Sequence, residues 1–272
     1  VLIATDLDGT LVPNGSARMG GYTAEVLRRA DAAGIHVVFV TGRPLRWMSE
    51  MWPHVGAHGK AVVSNGAILY DAHERRTLAV DGIEPGLGLE LVEAITQAAP
   101  ETVFAIECVD GIRLDPHFVY ERPSSTPPTR GAFSEIWDAP AVKLLARNPG
   151  LGDERFRELV KDAVGNRGVP TWSGPGLVEI SAHGITKASA LAGLCADLAV
   201  SRGDVVAFGD MPNDLPMLRW AGTSYAMADA DASVRAEADH VAPSCSEEGV
   251  AQVIESLLGG GDATASPTVP DH

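Results

Sequence analysis

"VLIATDLDGTLV", residues 1–12, sets a short apolar, β-branched run directly against two aspartates one residue apart and a Gly-Thr turn. Residues 1–5 do not alternate between apolar and polar, the pattern of a strand covered on both faces. Side chains two apart in a strand point the same way, so Asp6 and Asp8 leave its carboxyl end together. Open α/β sheets bind their ligands at that edge. Two carboxylates so close repel each other, and one would hold its proton more tightly unless a cation lies between them. A hard divalent ion with oxygen ligands, Mg²⁺ in particular, suits that role. Read singly, Asp-x-Asp is more often a solvated or turn-capping pair. It is not a calcium loop, since the glycine and glutamate that such a loop needs at its sixth and twelfth positions are missing.

Outward from this strand the rhythm repeats. Thr23 is expected to cap a helix running through Ala33, with Val26, Leu27 and Ala30 as its buried stripe and Gly34 closing it. "HVVFVTGRP" from His36 and "KAVVSNGA" from Lys60 read as further buried strands, each ending in a glycine turn. Strands alternating with helices predict βαβ units and a parallel sheet. From residue 81 the pattern changes to helices over 87–98 and 154–164 among strand-like pieces, a proline-rich "ERPSSTPPT" and a Gly-Pro-Gly hairpin turn near residue 175. From Thr186 the βα rhythm returns. The expectation is an α/β protein: a Rossmann-like parallel-sheet core from residues 1–80 and 181–258, an inserted α+β cap over 81–180, and a disordered tail over 259–272.

The 272 residues are 45% hydrophobic and 21% charged, as in a soluble globular chain. Acidic residues outnumber basic ones 36 to 21, a formal charge of −15. That surface repels polyanions and argues against nucleic acid or an anionic membrane as a general partner. Cys108, Cys195 and Cys245 are odd in number and lack metal-site spacing, so neither a disulfide framework nor a zinc site is expected. No apolar run approaches the ~20 residues of a membrane helix, and no signal peptide is evident. A cytoplasmic location is expected. The chain begins at Val1 rather than Met, which implies that residues precede it.

Three further stretches carry chemistry. In "VVAFGDMPNDLPML", Asp210 stands at a strand end as Asp6 does, and Asp214 opens a helix. Neighbouring parallel strands would bring these carboxylates together, although Asp214 alone would be an ordinary charge at a helix N-terminus. In "GITKASAL", Thr186 can cap a helix whose first turn holds Lys187. A cation there is electrostatically misplaced unless an anion answers it; an exposed lysine reaching solvent is the alternative. Thr41-Gly42-Arg43 could grip a phosphate oxygen with a hydroxyl and backbone N–H groups, or be only a turn.

Together and in this order, Asp6–Thr10, Thr41–Arg43, Lys187 and Gly209–Asp214 resemble the haloacid dehalogenase (HAD) superfamily of phosphohydrolases, and the insert, with "SNGA" at 64–67 and "GITKASAL", resembles its Cof-type (HAD-IIB) branch, whose α+β cap occupies that interval. Asp229 departs from the asparagine usual there. The resemblance implies that Asp6 is a nucleophile forming an aspartyl-phosphate. Asp8 would be the general acid and base. Mg²⁺ would be held by Asp6, the main-chain carbonyl of Asp8, Asp210 and Asp214, the last directly or through water. Lys187 would assist catalysis and, with Leu7, Thr41, Gly42, Arg43 and Asn213, bind the phosphoryl group or substrate.

Other motifs carry less. His54 and His58 are four apart, but Pro53, Gly56 and Gly59 argue against a zinc-binding helix, and Lys60-Ala61 is no Walker loop. Asp229 and Asp231 are expected to cap the next helix. The function implied is Mg²⁺-dependent hydrolysis of a small phosphorylated metabolite. A phosphomutase using the same intermediate and a non-catalytic phospholigand sensor are the alternatives. Oligomeric state has no signature in the sequence.

Overall fold

Strands with both faces apolar need cover above and below, which a parallel sheet flanked by helices provides. The computed structural model describes residues 1–16, 18–120, 127–172 and 174–259. Its first part contains β1 (Leu2–Thr5), α1 (Gly21–Ala32), β2 (His36–Phe39), β3 (Lys60–Val63), β4 (Ile68–Asp71) and β5 (Arg76–Val80). The middle contains α2 (Pro85–Ala98), β6 (Val103–Cys108), β7 (Gly111–Leu114), β8 (Thr129–Arg130), α3 (Phe133–Ile136), β9 (Lys143–Arg147), α4 (Asp153–Val164), β10 (Gly168–Thr171) and β11 (Val178–Ala182). The chain then continues through α5 (Lys187–Asp197), β12 (Val205–Gly209), α6 (Leu215–Trp220), β13 (Thr223–Met227), α7 (Ala232–Arg235), β14 (His240–Ala242) and α8 (Gly249–Leu258).

The fold is mixed α/β. Five parallel strands in the order β14-β13-β12-β1-β2 form the central sheet. The chain leaves β1 for β2 on one side and returns to add β12 on the other, so the order reverses between β1 and β12, the place where such sheets bind ligands. Leu2, Ile3 and Ala4 are fully buried there. The expected third parallel strand is different in kind. β3 touches this sheet through a single parallel bridge, Val40 with Val62, and otherwise belongs to an antiparallel β3-β4-β5 sheet. The reversal occurs at Ser64, Asn65 and Gly66, whose φ values of 53°, 59° and 105° turn the chain back on itself.

The cap expectation for α1 is also corrected. Gly20 occupies the N-cap position and Thr23 lies inside the helix, where its hydroxyl and N–H donate to Glu248 at 2.8 and 3.1 Å. A distant carboxylate thus serves the positive helix end in place of a local side chain. Val26, Leu27 and Ala30 form the buried stripe as expected.

Within the insert, a six-stranded sheet has the order β10-β11-β9-β6-β7-β8. Leu91 and Ile95 of α2 and Phe156 and Val160 of α4 pack with Phe104, Leu144 and Ile180 on one face. The other face carries Ala105, Ile112, Leu114 and Phe118. β10 and β11 pair as the expected hairpin, with Gly176 at φ +69° in its turn. The tail from residue 260, and the proline-rich stretch over 121–126, lie outside the described residues.

Candidate active site

Parallel register places Thr5 beside Phe208, so the residues that follow, Asp6 and Gly209-Asp210, emerge together at the sheet's carboxyl edge. Asp214 joins them from the turn that opens α6. Its Oδ2 accepts the N–H groups of Asp210 and Met211, both at 3.0 Å, which fixes that turn. One oxygen from each of Asp6, Asp210 and Asp214 lies within 4.8 Å of the others. Two glycines permit the crowding. A Cβ on Gly9, where φ is +82°, would lie 2.3 Å from Asp210 Oδ2, and one on Gly209 would lie 2.5 Å from Asp214 Cβ.

Lys187, in the first turn of α5, is completely buried and reaches into this cluster. Its Nζ donates to Asp6 Oδ1 at 2.7 Å and to Asp214 Oδ1 at 2.6 Å. Thr186 caps α5 in a reciprocal pair with Ser189, so the helix end that carries the lysine is fixed. The cation at a positive helix end is therefore answered by two carboxylates.

Three carboxylates face one ammonium, and the imbalance is visible in proton affinity. Burial pushes the Asp6 carboxyl up to about 7, with Lys187 opposing the rise and Asp214 adding to it. Burial, followed by the charges of Asp6 and Asp214, pushes Asp210 up to about 8 against the Thr10 hydrogen bond and Lys187. Burial alone would lower Lys187, but Asp214 and Asp6 outweigh it and hold the ammonium above its ordinary range. The site is short of positive charge and offers only oxygen ligands, so its donors fit Mg²⁺.

Asp8 stands apart from this cluster. Its carboxylate accepts Arg43 Nε and Nη2, each at 2.7 Å, and Gly15 N–H at 3.2 Å. Arg43 is almost fully buried and also donates to Ser16 O. Thr41 is buried; its Oγ1 accepts Arg43 N–H at 3.0 Å, and its own proton has no acceptor among the described residues. Leu7 is buried, and its backbone lowers the proton affinity of the adjoining Asp6 carboxyl. Asn213 Nδ2 donates to Asn65 Oδ1 at 3.1 Å, while Asn213 Oδ1 is buried with no donor among the described residues.

Sequence reasoning missed the connection between this edge and the inserted sheet. Lys143 Nζ donates to Gly42 O at 2.7 Å and to Glu179 Oε2 at 2.9 Å. Glu179 also accepts Asn65 Nδ2 at 2.8 Å, completing a chain from Asn213 through Asn65. Arg46 grips Glu107 at 2.8 and 2.7 Å and reaches Tyr120 Oη at 2.9 Å. Single charges inside apolar strands, Lys143 in "AVKLLA" and Glu179 in "LVEIS", were the available signal. Thr10, whose hydroxyl donates to Asp210 at 2.7 Å, had no signal beyond its place after Asp-Gly.

Residues 3–254 match the family model for haloacid dehalogenase-like hydrolases. The chain belongs to that family. This hydrolase is 29% identical over 260 residues to the 5-amino-6-(5-phospho-D-ribitylamino)uracil phosphatase YcsE of Bacillus subtilis, covering 93% of the chain and 94% of the relative. It is 28% identical to the pyridoxal phosphate phosphatase YbhA of Escherichia coli, covering 94% and 98%. Among solved structures it shares its fold with the HAD subclass IIB sugar phosphatase BT4131, with a TM-score of 0.78, 20% identity and coverage of 94% and 98%. The hydrolase is an enzyme of the phosphatase group and falls in the Cof-type branch.

Proposed function

We propose that the protein hydrolyses small phosphomonoesters, a sugar phosphate or a cofactor phosphate, with Mg²⁺ and through an aspartyl-phosphate on Asp6. The observation that carries this reading is the buried triad of Asp6, Asp210 and Asp214 pinned by Lys187 at the switch point of the parallel sheet. Relatives named as phosphatases of ribityl-uracil and pyridoxal phosphates support a small metabolite. Residues 81–180 would serve as the cap over the sheet edge and exclude water there. Three free, buried cysteines support a reducing, cytoplasmic setting. Among the described residues, no helix is long and apolar enough to cross a membrane.

In this reading an Asp6 oxygen attacks phosphorus while the bond to the leaving oxygen breaks, and Asp8 gives that oxygen a proton. Asp8 then takes a proton from water, which attacks the phosphoryl group, frees Asp6 and releases inorganic phosphate. Arg43 takes one site on each Asp8 oxygen and the Gly15 N–H a second on Oδ1, which leaves a lone pair on Oδ2 to carry the proton. Lys187, Thr41, Asn213 and the backbone around Leu7 and Gly42 would hold the phosphoryl oxygens. When bound by Asp6, Asp8 O, Asp210 and Asp214, Mg²⁺ supplies the positive charge that the carboxylates and the phosphoryl group lack.

A screen of phosphorylated metabolites for phosphate release, with Mg²⁺ and with EDTA, tests the proposal. Release that depends on Mg²⁺, with Asp8→Asn slowing turnover and accumulating phosphoenzyme, is expected. Metal-independent release, or unchanged turnover in Asp8→Asn, would contradict it.

A further inference from the structure

The inserted sheet turns its less covered face toward the catalytic edge, and that face is graded in charge. Along β9, Leu144 and Ala146 enter the helix-covered core, which leaves Lys143, Leu145 and Arg147 on the opposite face. Register sets Glu107 opposite Lys143, Ala105 opposite Leu145 and Val103 opposite Arg147. A cavity of about 180 Å³ runs along this face from Gly42 to Arg147, with Leu145, Phe118 and Leu177 among its apolar walls. Lys143 anchors its inner end at Gly42 O. Four residues of strand carry the surface about 13 Å outward to Arg147.

Among the described residues, charge is balanced at the inner end only. Glu179 answers Lys143, and Glu107 answers Arg46 with two hydrogen bonds. The partly buried Arg147 guanidinium has no carboxylate and no hydrogen-bond acceptor among the described residues, and lies over the Phe118 ring at 5.6 Å. Stacking on an aromatic face holds the planar cation in place but leaves its in-plane N–H donors free. A partly desolvated guanidinium with open donors favours bidentate anionic oxygens. An anion at the inner end would instead have to displace a pair already made.

We propose that Arg147 is a specificity-determining residue, and that preferred substrates carry a second anionic oxygen group, a carboxylate or phosphate, at the end remote from the scissile phosphate. The apolar walls would take the hydrocarbon or ring between the two. This inference rests on the phosphatase reading above.

The test is a matched pair of probes, 4-(2-carboxyethyl)phenyl phosphate and its methyl ester, compared by kcat/KM. The wild-type protein should favour the free carboxylate by about tenfold or more, mainly through KM, as a charge-assisted hydrogen bond implies. Arg147→Gln should bring the ratio to near unity, and Arg147→Lys should restore part of it. Because the ratio is internal to each variant, a purely structural role for Arg147 would lower both rates and leave it unchanged. That result, or a wild-type ratio near one, would overturn the inference. Calorimetric binding of the two leaving phenols, 3-(4-hydroxyphenyl)propionate and its methyl ester, reads the subsite without turnover. Preference for the acid that is lost in Arg147→Gln supports the subsite even if neither ester is hydrolysed, and then only the phosphatase reading fails. Equal binding of acid and ester overturns the subsite.

Discussion

Two buried charge clusters lie on either side of the cleft, and they are built to opposite rules. At the parallel-sheet edge, Asp6, Asp210 and Asp214 face Lys187 as the one cation among the described residues. Across from it, Lys143 and Arg46 are matched by Glu179 and Glu107. The matched cluster meets its own electrostatic needs and ties two sheets together. The unmatched one is left with two carboxyls that hold protons near neutrality, which is how a site awaiting positive charge presents itself. Both clusters are largely buried; stoichiometry separates a binding site from a structural tie.

Neutralising one acid in each cluster should therefore have opposite consequences. Asp6→Asn should cut turnover of an aryl phosphate by on the order of 10⁴-fold or more, as removal of a nucleophile does. At pH 8 in EDTA the same variant should melt no lower than wild type, because it removes surplus negative charge. A lower melting temperature would break the comparison. Glu179→Gln should instead cost about 3–5 kcal/mol in denaturant unfolding, since Lys143 is left buried without its carboxylate. Adding Lys143→Met should recover much of that loss, and simple additivity would show that the pair is not coupled.

Smaller effects sharpen the same contrast. Gly9→Ala pairs a positive φ with a 2.3 Å approach to Asp210, whereas Gly15→Ala at φ +72° meets nothing within 4 Å. Both changes incur backbone strain of about 1 kcal/mol, but Gly9→Ala should be clearly the worse in unfolding and should also weaken Mg²⁺ binding. Equal costs would deny that carboxylate crowding shapes the turn.

The pH dependence reads the same imbalance without a mutation. Asp6 and Asp210 hold protons more tightly in the folded chain than the ordinary 3.8, so the folded state binds more protons between about pH 4 and 8. Their contribution is present below pH 4 and is lost as pH rises through about 7 and 8. In EDTA the melting temperature should fall further over that range than in Asp6→Asn, and saturating Mg²⁺ should flatten the fall. A flat profile in EDTA would contradict the imbalance.

The parts of this molecule legible in the sequence are those whose signal is local. Apolar runs ending in Asp6 and Asp210 announced parallel strands and a shared edge, and Lys187 was conspicuous because a cation in a first helical turn needs a reason. The parts that were not legible depend on partners far along the chain. Thr23 resembles a cap until Glu248 arrives to occupy the helix end. β3 resembles a third parallel strand until Ser64 and Asn65 turn left-handed and fold β4 back on it. Arg43 reads as a phosphate or substrate contact or as part of a plain turn, whereas the structure buries it against Asp8. Lys143 and Glu179 were visible as odd charges in apolar strands, but only the folded cleft shows that they meet each other and Gly42.

The central claim is that the crowded edge exists to let one carboxylate attack phosphorus. Acid quench of the Mg²⁺-loaded enzyme during turnover of an aryl phosphate, followed by borohydride reduction and peptide mapping, tests it most directly. Reduction of a trapped acyl-phosphate should convert Asp6 to homoserine and leave Asp8, Asp210 and Asp214 intact. Turnover with no modified Asp6, or modification at any other acid instead, would contradict the account.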